Sequence, residues 1–209
     1  MEIELQTGGL TLDKRGIFIC IEGLDGSGKT THSRCLVENL KCRDFDAVYT
    51  SEPSSGPIGD FIRCYVLERK KRVLGVVEAL LFAVDRVDHV EREVRPALHR
   101  EQIVICDRYL YSSLAYQGAA GLDLDWIREI NRYALTPDLA IYLDVSPEMV
   151  VKRIKRPKSV METLKTQRKV QEIYQKLMGE GLLMRVDGDR PKEEVSKDIL
   201  AVALEFLEI

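Results

Sequence analysis

The sequence predicts a three-layer α/β/α fold, in which helices cover both faces of one five-stranded parallel sheet. Three observations carry this prediction. Five short segments are almost wholly apolar, as strands are when both faces of a parallel sheet are buried. Longer amphipathic segments with helical periodicity separate them, which is the alternation typical of α/β proteins. No repeat or compositional break divides the 209 residues, so we expect one domain, residues 1–209.

Each predicted strand is a short apolar run bounded by turn-forming or charged residues. The first reads GIFICIE and the third reads QIVICD, and each contains a cysteine that we expect to behave as a small buried hydrophobe. The fourth, LAIYLDV, is equally apolar. In chain order the predicted strands are Gly16–Glu22, Ala47–Ser51, Gln102–Asp107, Leu139–Val145 and Leu183–Asp187.

The predicted helices occupy the amphipathic segments between these strands. The long helix over Gly75–Leu98 ends near Pro96, because proline disrupts a helix interior. Another helix begins at residues 146–148, where a capping serine, a proline in the first turn and an acid at the positive end of the helix dipole come together. The remaining predicted helices are Thr30–Cys42, Ile58–Leu67, Leu124–Ala134, Glu162–Met178 and Pro191–Leu207.

Composition excludes several classes of protein. Lys and Arg number 31 against 34 Asp and Glu, a net charge of −3 that gives no basis for nucleic-acid binding. The apolar runs fall far short of the roughly 20 residues that span a membrane, and residues 1–15 are charged throughout, unlike a signal peptide. The five cysteines and three histidines form no metal-binding pattern. We therefore expect a cytoplasmic protein with small-molecule partners and neither a nucleic-acid nor a membrane partner.

A phosphate-binding loop is the strongest functional signal. Residues 23–30 read GLDGSGKT, which matches G-x-x-x-x-G-K-[ST] directly after a strand and directly before a helix. Glycines let backbone N–H groups point at phosphate oxygens, the lysine reaches the β- and γ-phosphates, and the threonine hydroxyl binds Mg²⁺. The alternative is a glycine-rich turn without a ligand. We expect ATP or GTP with Mg²⁺, held by Gly23, Leu24, Asp25, Gly26, Ser27, Gly28, Lys29, Thr30 and Thr31.

A second polar cluster follows the third strand. Asp107, Arg108 and Tyr109 stand at its carboxyl end, where ligands bind in open α/β sheets. The acid can help to hold Mg²⁺ and the arginine can clamp a transferring phosphoryl group, whereas the alternative is a structural ion pair that closes the strand. The guanine-reading N-K-x-D motif of GTPases is absent from the sequence. ATP is therefore the expected donor.

The segment that begins with Asp107 resembles the signature of the thymidylate kinase family, enzymes that phosphorylate dTMP to dTDP. Residues 107–117 read DRYLYSSLAYQ, similar to that family's D-R-Y motif. Residues 80–86, LLFAVDR, with His89, and residues 137–148, PDLAIYLDVSPE, are similar to two further family segments. The resemblance extends from about Gly16 to the last helix, leaves residues 1–15 outside, and implies a P-loop fold of the nucleoside monophosphate kinase type.

The resemblance implies a base-binding site on the long third helix and the D-R-Y segment. Phe82 would stack on thymine, Arg86 would donate to a carbonyl oxygen of the base, and Ser113 and Gln117 would read the remaining edge. Without the family, Phe82 is a core aromatic and Arg86 is a solvated charge paired with Asp85 or Asp88. The implied substrate site comprises Asp25, Arg63, Phe82, Arg86, Arg108, Ser112, Ser113, Tyr116 and Gln117.

The resemblance also implies how the phosphates are handled. Arg63 and Arg108 would hold the acceptor 5′-phosphate, since a guanidinium binds phosphate through two parallel hydrogen bonds. Asp25 would contact the deoxyribose 3′-OH region, or is a tolerated loop residue, and Thr30 and Asp107 would hold the metal. The basic stretch 152–158 falls in the family's lid, residues 150–160, or is a solvated surface. The phosphate loop contains no arginine, so the implied catalytic set is Lys29, Arg108, Arg153 and Arg156.

Three segments differ from the family pattern, and two other functions stay open. Residues 50–53 read TSEP in place of T-R-E-P, residues 54–55 are serines in place of glycines, and residues 159–162 read SVME in place of D-R-[IFY]-E. The alternatives are a deoxynucleoside kinase, whose acceptor is an uncharged hydroxyl, and a non-catalytic ATP-binding paralogue. Family members are commonly homodimers, and the apolar faces of Ile58–Leu67 and Leu80–Val90 would supply an isologous interface or pack on the sheet.

Overall fold

The computed structural model describes residues 16–68, 73–153 and 163–208. Its strands form one parallel sheet in the order β2-β3-β1-β4-β5, which places the first strand at the centre. The predicted three-layer class and all five predicted strands are confirmed, with strand ends that differ by at most one residue. The strands are β1 (Ile17–Gly23), β2 (Ala47–Ser51), β3 (Ile103–Asp107), β4 (Leu139–Asp144) and β5 (Met184–Asp187).

Helices connect the strands and lie on both sides of the sheet. Among the described residues there are two π-helical turns, one after α2 over Arg63–Leu67 and one over Val90–Val94 that joins α3 to α4. The described helices are α1 (Lys29–Lys41), α2 (Pro57–Ile62), α3 (Gly75–His89), α4 (Arg95–His99), α5 (Leu110–Ala119), α6 (Leu124–Ile130), α7 (Pro147–Arg153), α8 (Leu164–Gly179) and α9 (Lys192–Phe206).

Sheet register brings two loops to one edge of the central strands. β1 and β3 are adjacent and parallel, with Ile21 beside Asp107, so their carboxyl ends meet. The glycine-rich loop leaves β1 there, and the D-R-Y segment leaves β3 there. Both strands are almost wholly buried, which fixes the two loops on a rigid base. This edge therefore carries the candidate site.

Two predicted helices divide or end differently in the structure, and one helix was not predicted. Helix α5 was missed, because Tyr111 and residues 113–117 are buried on several sides and leave no polar face to mark a helical period. The predicted helix over Gly75–Leu98 divides into three pieces, and Pro96 lies in the first turn of α4, where its missing N–H is tolerated. Helix α6 ends at Ile130, short of Ala134, where the Asn131 amide binds the Ile127 carbonyl oxygen.

The predicted lid over residues 150–160 is described only in part. Residues 150–153 are the last turn of α7. The remainder of the lid lies outside the described residues, as do residues 1–15. Helix α8 begins at Leu164, two residues later than predicted, with the Thr163 hydroxyl as its N-terminal cap.

Candidate active site

The loop between β1 and α1 has the conformation that an anion-binding turn needs. Gly26 and Gly28 have φ angles of 80° and 102°, a left-handed region that side chains rarely adopt. Gly28 caps α1, whose first N–H groups lack partners inside the helix and favour an anion. The Leu24 side chain is fully buried and anchors the loop to the core, whereas Thr31 is exposed. The strand, loop and helix are the context that the phosphate-loop motif requires.

Lys29 places a buried amine inside this loop. Its Nζ donates to the Leu24 carbonyl oxygen at 2.6 Å and lies 3.5 Å from Ser27 Oγ. Burial and the nearby Arg108 charge lower the pKa of Lys29 to about 8, while Asp107 and Asp25 act in the opposite direction. The buried amine is bound by the neutral oxygens of Leu24 and Ser27, which charged phosphate oxygens can replace.

We expect ATP binding above pH 8 to take up protons. The pKa of Lys29 is near 8 in the free protein, and an adjacent triphosphate raises it by favouring the charged amine. Neutral Lys29 must therefore gain a proton when ATP binds, and affinity should fall by up to about tenfold per pH unit above 8. Titration calorimetry at pH 9 in buffers of different ionisation enthalpy measures the uptake.

The matched variant is Lys29→Arg, whose guanidinium stays charged throughout this range. It should bind ATP without proton uptake. ATP itself does not contribute, because a terminal phosphate with a pKa of roughly 6 is fully ionised at pH 9. Equal uptake by both proteins would contradict the assignment to Lys29.

The predicted metal residues lie together. The Thr30 hydroxyl donates to Asp107 Oδ2, while the buried Asp107 Oδ1 has no hydrogen-bond partner among residues 16–68, 73–153 and 163–208. Hydroxyl and carboxylate oxygens are ligands that Mg²⁺ accepts, and Mg²⁺ keeps several waters instead of filling an all-protein cage. The described part of the chain holds no cluster of three or more acidic, histidine or cysteine ligands. The oxygens present fit this ion.

Loss of the Asp107 charge should weaken the metal site. We expect Asp107→Asn to raise the Mg²⁺ concentration for half-maximal activity by about 10–100-fold, the range for a lost ligand or its orienting partner. The control is Asp144→Asn at the carboxyl end of β4, where the carboxylate pairs with Arg185 instead. A Mg²⁺ titration in which both variants match the unsubstituted protein would contradict the assignment.

Arg108 connects the phosphate loop to α5. Its Nη1 donates to the Gly23 carbonyl oxygen at 3.2 Å and to Ser112 Oγ at 3.1 Å, and its Nη2 donates to the Asp25 carboxylate. The guanidinium also stacks over the Tyr116 ring, 5.2 Å from its centroid. The side chain is only 21% exposed. It is a fixed cation beside the phosphate loop, in reach of an anion from solvent.

Arg63 lies in a different set of contacts. Its guanidinium donates to the carbonyl oxygens of Pro53 and Ser54, at 2.9 and 2.7 Å, and pairs with Asp60. It therefore holds the loop between β2 and α2. No hydrogen bond or ion pair among the described residues joins it to Arg108. Its role in binding the acceptor phosphate stays a prediction.

The predicted catalytic arginines of the lid are described only at Arg153. This side chain is exposed at the end of α7, with Nη1 3.5 Å from the Ser27 carbonyl oxygen of the phosphate loop. Arg156 lies outside the described residues. The structure thus brings one lid cation to the phosphate loop, and its catalytic role stays a prediction.

Helices α3 and α5 bring the predicted base-reading residues together. Gln117 Nε2 donates to Glu78 Oε1 at 3.0 Å, and Arg86 Nη2 donates to Ser113 Oγ at 3.1 Å. Phe82 is half-buried and lies one helical turn from both Glu78 and Arg86. Gln117 Oε1 is buried without a hydrogen-bond partner in the described chain. An aromatic ring flanked by polar groups suits a flat base with hydrogen-bonding edges.

Arg86 is buried, so its interpretation as a solvated helix charge is wrong. The side chain is 1% exposed and donates to the Glu52 carboxylate at 2.6 Å and to Asn131 Oδ1. Burial alone would lower the pKa of Arg86, but Glu52, with smaller contributions from Tyr109 and Glu22, offsets it and the pKa lies above its ordinary value. The guanidinium therefore stays charged inside the protein.

The acids suggested as partners of Arg86 bind other groups. Asp85 accepts hydrogen bonds from the Ser54 amide and hydroxyl, at 2.7 and 2.6 Å. Asp88 pairs with Arg92. Ser54, which stands where the family has glycine, is thus bound to α3, and this contact holds the β2–α2 loop against that helix.

Sequence reasoning missed the inner partners of the site. Glu52 binds Arg86 and lies 3.2 Å from His89 Nδ1, and Thr50 Oγ1 lies 2.6 Å from His89 Nε2. Asn131 reaches Arg86 from the end of α6. No local pattern marks such contacts, because they join residues 34 and 45 positions apart. The weak available signal was an acid next to a proline at a strand end, at Glu52.

Fold and site together define a P-loop phosphotransferase of the nucleoside monophosphate kinase type. The central strand leads into a phosphate loop, and the neighbouring strand ends in an acid and an arginine that contact that loop. Residues 21–199 match the family model described as "Thymidylate kinase". The chain therefore belongs to the thymidylate kinase family.

Curated relatives agree over nearly the whole chain. The chain is 44% identical over 196 residues to the "Probable thymidylate kinase" of Pyrococcus abyssi, covering 90% of this chain and 96% of that protein. It is 42% identical to the protein of the same name from Pyrococcus horikoshii, with the same coverage. The match to that of Pyrobaculum calidifontis is 44% over 190 residues, 89% of this chain and 95% of the relative.

Within the described residues, none of the helices combines the length and the apolar character needed to cross a bilayer.

Proposed function

We propose that this protein transfers the γ-phosphate of ATP to the 5′-phosphate of dTMP, giving dTDP and ADP. The observation that carries the proposal is Arg108, a cation bound to the phosphate loop through Gly23 and Asp25 and to α5 through Ser112. Family membership supplies the substrate class. A guanidinium next to the donor phosphates suits an acceptor that itself carries a phosphate.

The reaction needs little covalent chemistry from the protein. A monophosphate is already ionised near pH 7, with a second pKa of roughly 6, so its oxygen attacks the γ-phosphate without a general base. Lys29 would hold the β- and γ-phosphates and Arg108 the acceptor phosphate, in line for transfer. Thr30 and Asp107 would hold Mg²⁺, which when bound neutralises charge on the phosphates. Arg153, and Arg156 in the lid, would add cations as the site excludes water.

Base selection would rest on α3 and α5. Phe82 would stack on thymine, Arg86 would donate to a carbonyl oxygen, and Ser113 and Gln117 would read the remaining edge, with Asp25 at the deoxyribose 3′-OH. The thymine 5-methyl group adds roughly 1–3 kcal/mol of discrimination in an apolar niche. Some activity with dUMP is therefore part of the proposal.

The experiment is ADP release from ATP and Mg²⁺ with different acceptors. Parallel reactions contain dTMP, dUMP, dCMP, dGMP, dAMP, thymidine or no acceptor. Turnover fastest with dTMP, and slower but measurable with dUMP, is the expected result. Release with thymidine but not dTMP would establish the deoxynucleoside kinase alternative. Retained ATP binding without release in any reaction would establish the non-catalytic paralogue.

The variant Arg63→Ala distinguishes a thymidylate kinase from a deoxynucleoside kinase. If Arg63 binds the acceptor phosphate, Arg63→Ala should abolish most of the activity with dTMP. An enzyme whose acceptor is a hydroxyl does not need this arginine. Arg63 also donates to the Pro53 and Ser54 carbonyl oxygens, so a second variant must show whether a change in the β2–α2 loop alone lowers activity. The control is Ser55→Ala, on the same loop and bonded to Glu93 instead.

We also propose that the protein is a homodimer in the cytoplasm. The support for a dimer is an apolar surface on α2, α3 and their flanks, formed by Phe61, Leu67, Leu74, Val76, Val77, Leu80, Val84 and Val87, each more than one-third exposed. Light scattering should give twice the monomer mass, and Leu80→Asp with Val84→Asp should give the monomer. The support for the compartment is that all five cysteines are free.

A further inference from the structure

Glu22 is a buried carboxylate that no step of the proposed reaction uses. It stands directly before the phosphate loop, and none of its side chain is exposed. Its Oε1 accepts from the backbone N–H groups of Tyr109 and Ser112, at 2.8 and 3.2 Å. Its Oε2 accepts from the hydroxyls of Ser112 and Tyr174, at 2.6 and 2.9 Å. Glu22 thus joins the central strand to the β3–α5 loop and to α8.

An acid in the interior of a sheet is unfavourable without such partners. Burial raises the pKa of the Glu22 carboxyl, and the hydrogen bonds of Ser112, Tyr174 and the Tyr109 amide, with the charge of Arg108, act in the opposite direction. An apolar side chain would fit a central strand more easily. The four hydrogen bonds to the Glu22 carboxylate therefore indicate that it helps to set the geometry of the site.

One task is to fix the backbone at Arg108. This residue has a φ of 69°, a left-handed conformation that a non-glycine residue keeps only when its surroundings hold it there. The amide of Arg108 donates to the Ile21 carbonyl oxygen at 3.0 Å. The next amide, that of Tyr109, donates to Glu22. The two bonds that flank the turn therefore both end on β1, and one of them depends on the carboxylate.

The other task concerns the guanidinium. Ser112 Oγ accepts from Arg108 Nη1 at 3.1 Å and donates to Glu22 Oε2 at 2.6 Å. We infer that Glu22 is a positioning residue for Arg108, because its carboxylate fixes both the left-handed turn and the Ser112 hydroxyl that supports the guanidinium. The inference rests on the proposed role of Arg108 in binding the acceptor 5′-phosphate. Glu22 acts through these two residues and does not itself touch substrate.

The test compares binding of dTMP with binding of thymidine. The two ligands differ by the 5′-phosphate, so the ratio of their Kd values reports the phosphate contact alone. Glu22→Gln keeps the shape but replaces one accepting oxygen with a donor. We expect the preference for dTMP to fall by about tenfold or more, with thymidine binding unchanged, since a small displacement of a positioned group has large effects. A merely structural role would weaken both ligands alike or lower the active fraction.

Two control variants accompany this measurement. Glu205→Gln makes the same change on the exposed face of α9 and should leave both Kd values unchanged. Tyr174→Phe removes one donor to Glu22 but keeps both backbone amides, and should change the preference by less than about threefold. If Glu22→Gln does not fold, Glu22→Asp, which withdraws the carboxylate but keeps its charge, is measured in the same way with the same expectation.

Measurements in an Arg108→Ala background distinguish an error in the proposed role of Arg108 from an error in the inference about Glu22. With Arg108 absent, Glu22→Gln should add almost nothing to the loss of preference, because its effect passes through that side chain. An unchanged preference in Arg108→Ala itself would overturn the proposed role of Arg108. A loss in Arg108→Ala but none in Glu22→Gln, or equal effects of Glu22→Gln with and without Arg108, would overturn the inference about Glu22.

Discussion

Lys29→Met is expected to lower kcat by about 10³-fold, because it removes a fixed charge from the transferring phosphoryl group. The amine is buried inside the phosphate loop, bonded to Leu24 and Ser27. In so desolvated a place, a charge acts on phosphate oxygens more strongly than it would in water. Steady-state kinetics at saturating ATP and dTMP measure the loss.

The matched control is Lys41→Met, at the opposite end of the same helix. Lys41 is exposed in the last turn of α1, and its loss should leave kcat unchanged. Thermal unfolding of both variants shows whether the fold is intact, and dTMP binding to Lys29→Met should persist because the proposed base site lies on α3 and α5. Full activity in Lys29→Met would contradict the assigned phosphate loop.

Arg86→Met is expected to lower the free energy of unfolding by about 3–5 kcal/mol, the cost of leaving a buried charge without its partner. Glu52 is 2% exposed at its side chain and binds the guanidinium at 2.6 Å. Asn131 would lose its donor as well. Urea unfolding without ligands measures the change in midpoint.

Two further variants make this prediction specific. Adding Glu52→Gln to Arg86→Met should restore part of the stability, because it removes the uncompensated charge. Arg92→Met breaks an ion pair with Asp88 that is about one-third exposed, and should cost less than about 1 kcal/mol. Equal losses for Arg86→Met and Arg92→Met would show that the buried pair does not stabilise the fold.

The sheet was predictable from sequence because its strands are buried on both faces. Runs such as Ile17–Gly23 and Ile103–Asp107 are marked by apolar composition alone, and their parallel order places the two functional loops together. Helix α5 was not predictable in the same way. It lies between other elements, so its sequence lacks the amphipathic period that reveals a surface helix.

The residues of the candidate site also fall into those that the sequence predicted and those that it did not. Lys29, Thr30 and Arg108 belong to contiguous motifs whose spacing carries their chemistry, so sequence alone pointed to them. Glu22 and Glu52 act through partners from 34 to 152 positions away in the chain. Such contacts depend on tertiary packing, which no local pattern encodes. Asp85 and Asp88 do not pair with Arg86, because the Arg86 side chain points into the protein interior, where it binds Glu52.

The central claim is tested most directly by identifying the product made from ATP and dTMP. Incubation with Mg²⁺, followed by phosphorus NMR of the nucleotides, distinguishes a new diphosphate from free phosphate. The account predicts equal amounts of ADP and dTDP, with no inorganic phosphate beyond that of an enzyme-free sample. Formation of ADP with inorganic phosphate, or no consumption of dTMP, would contradict it.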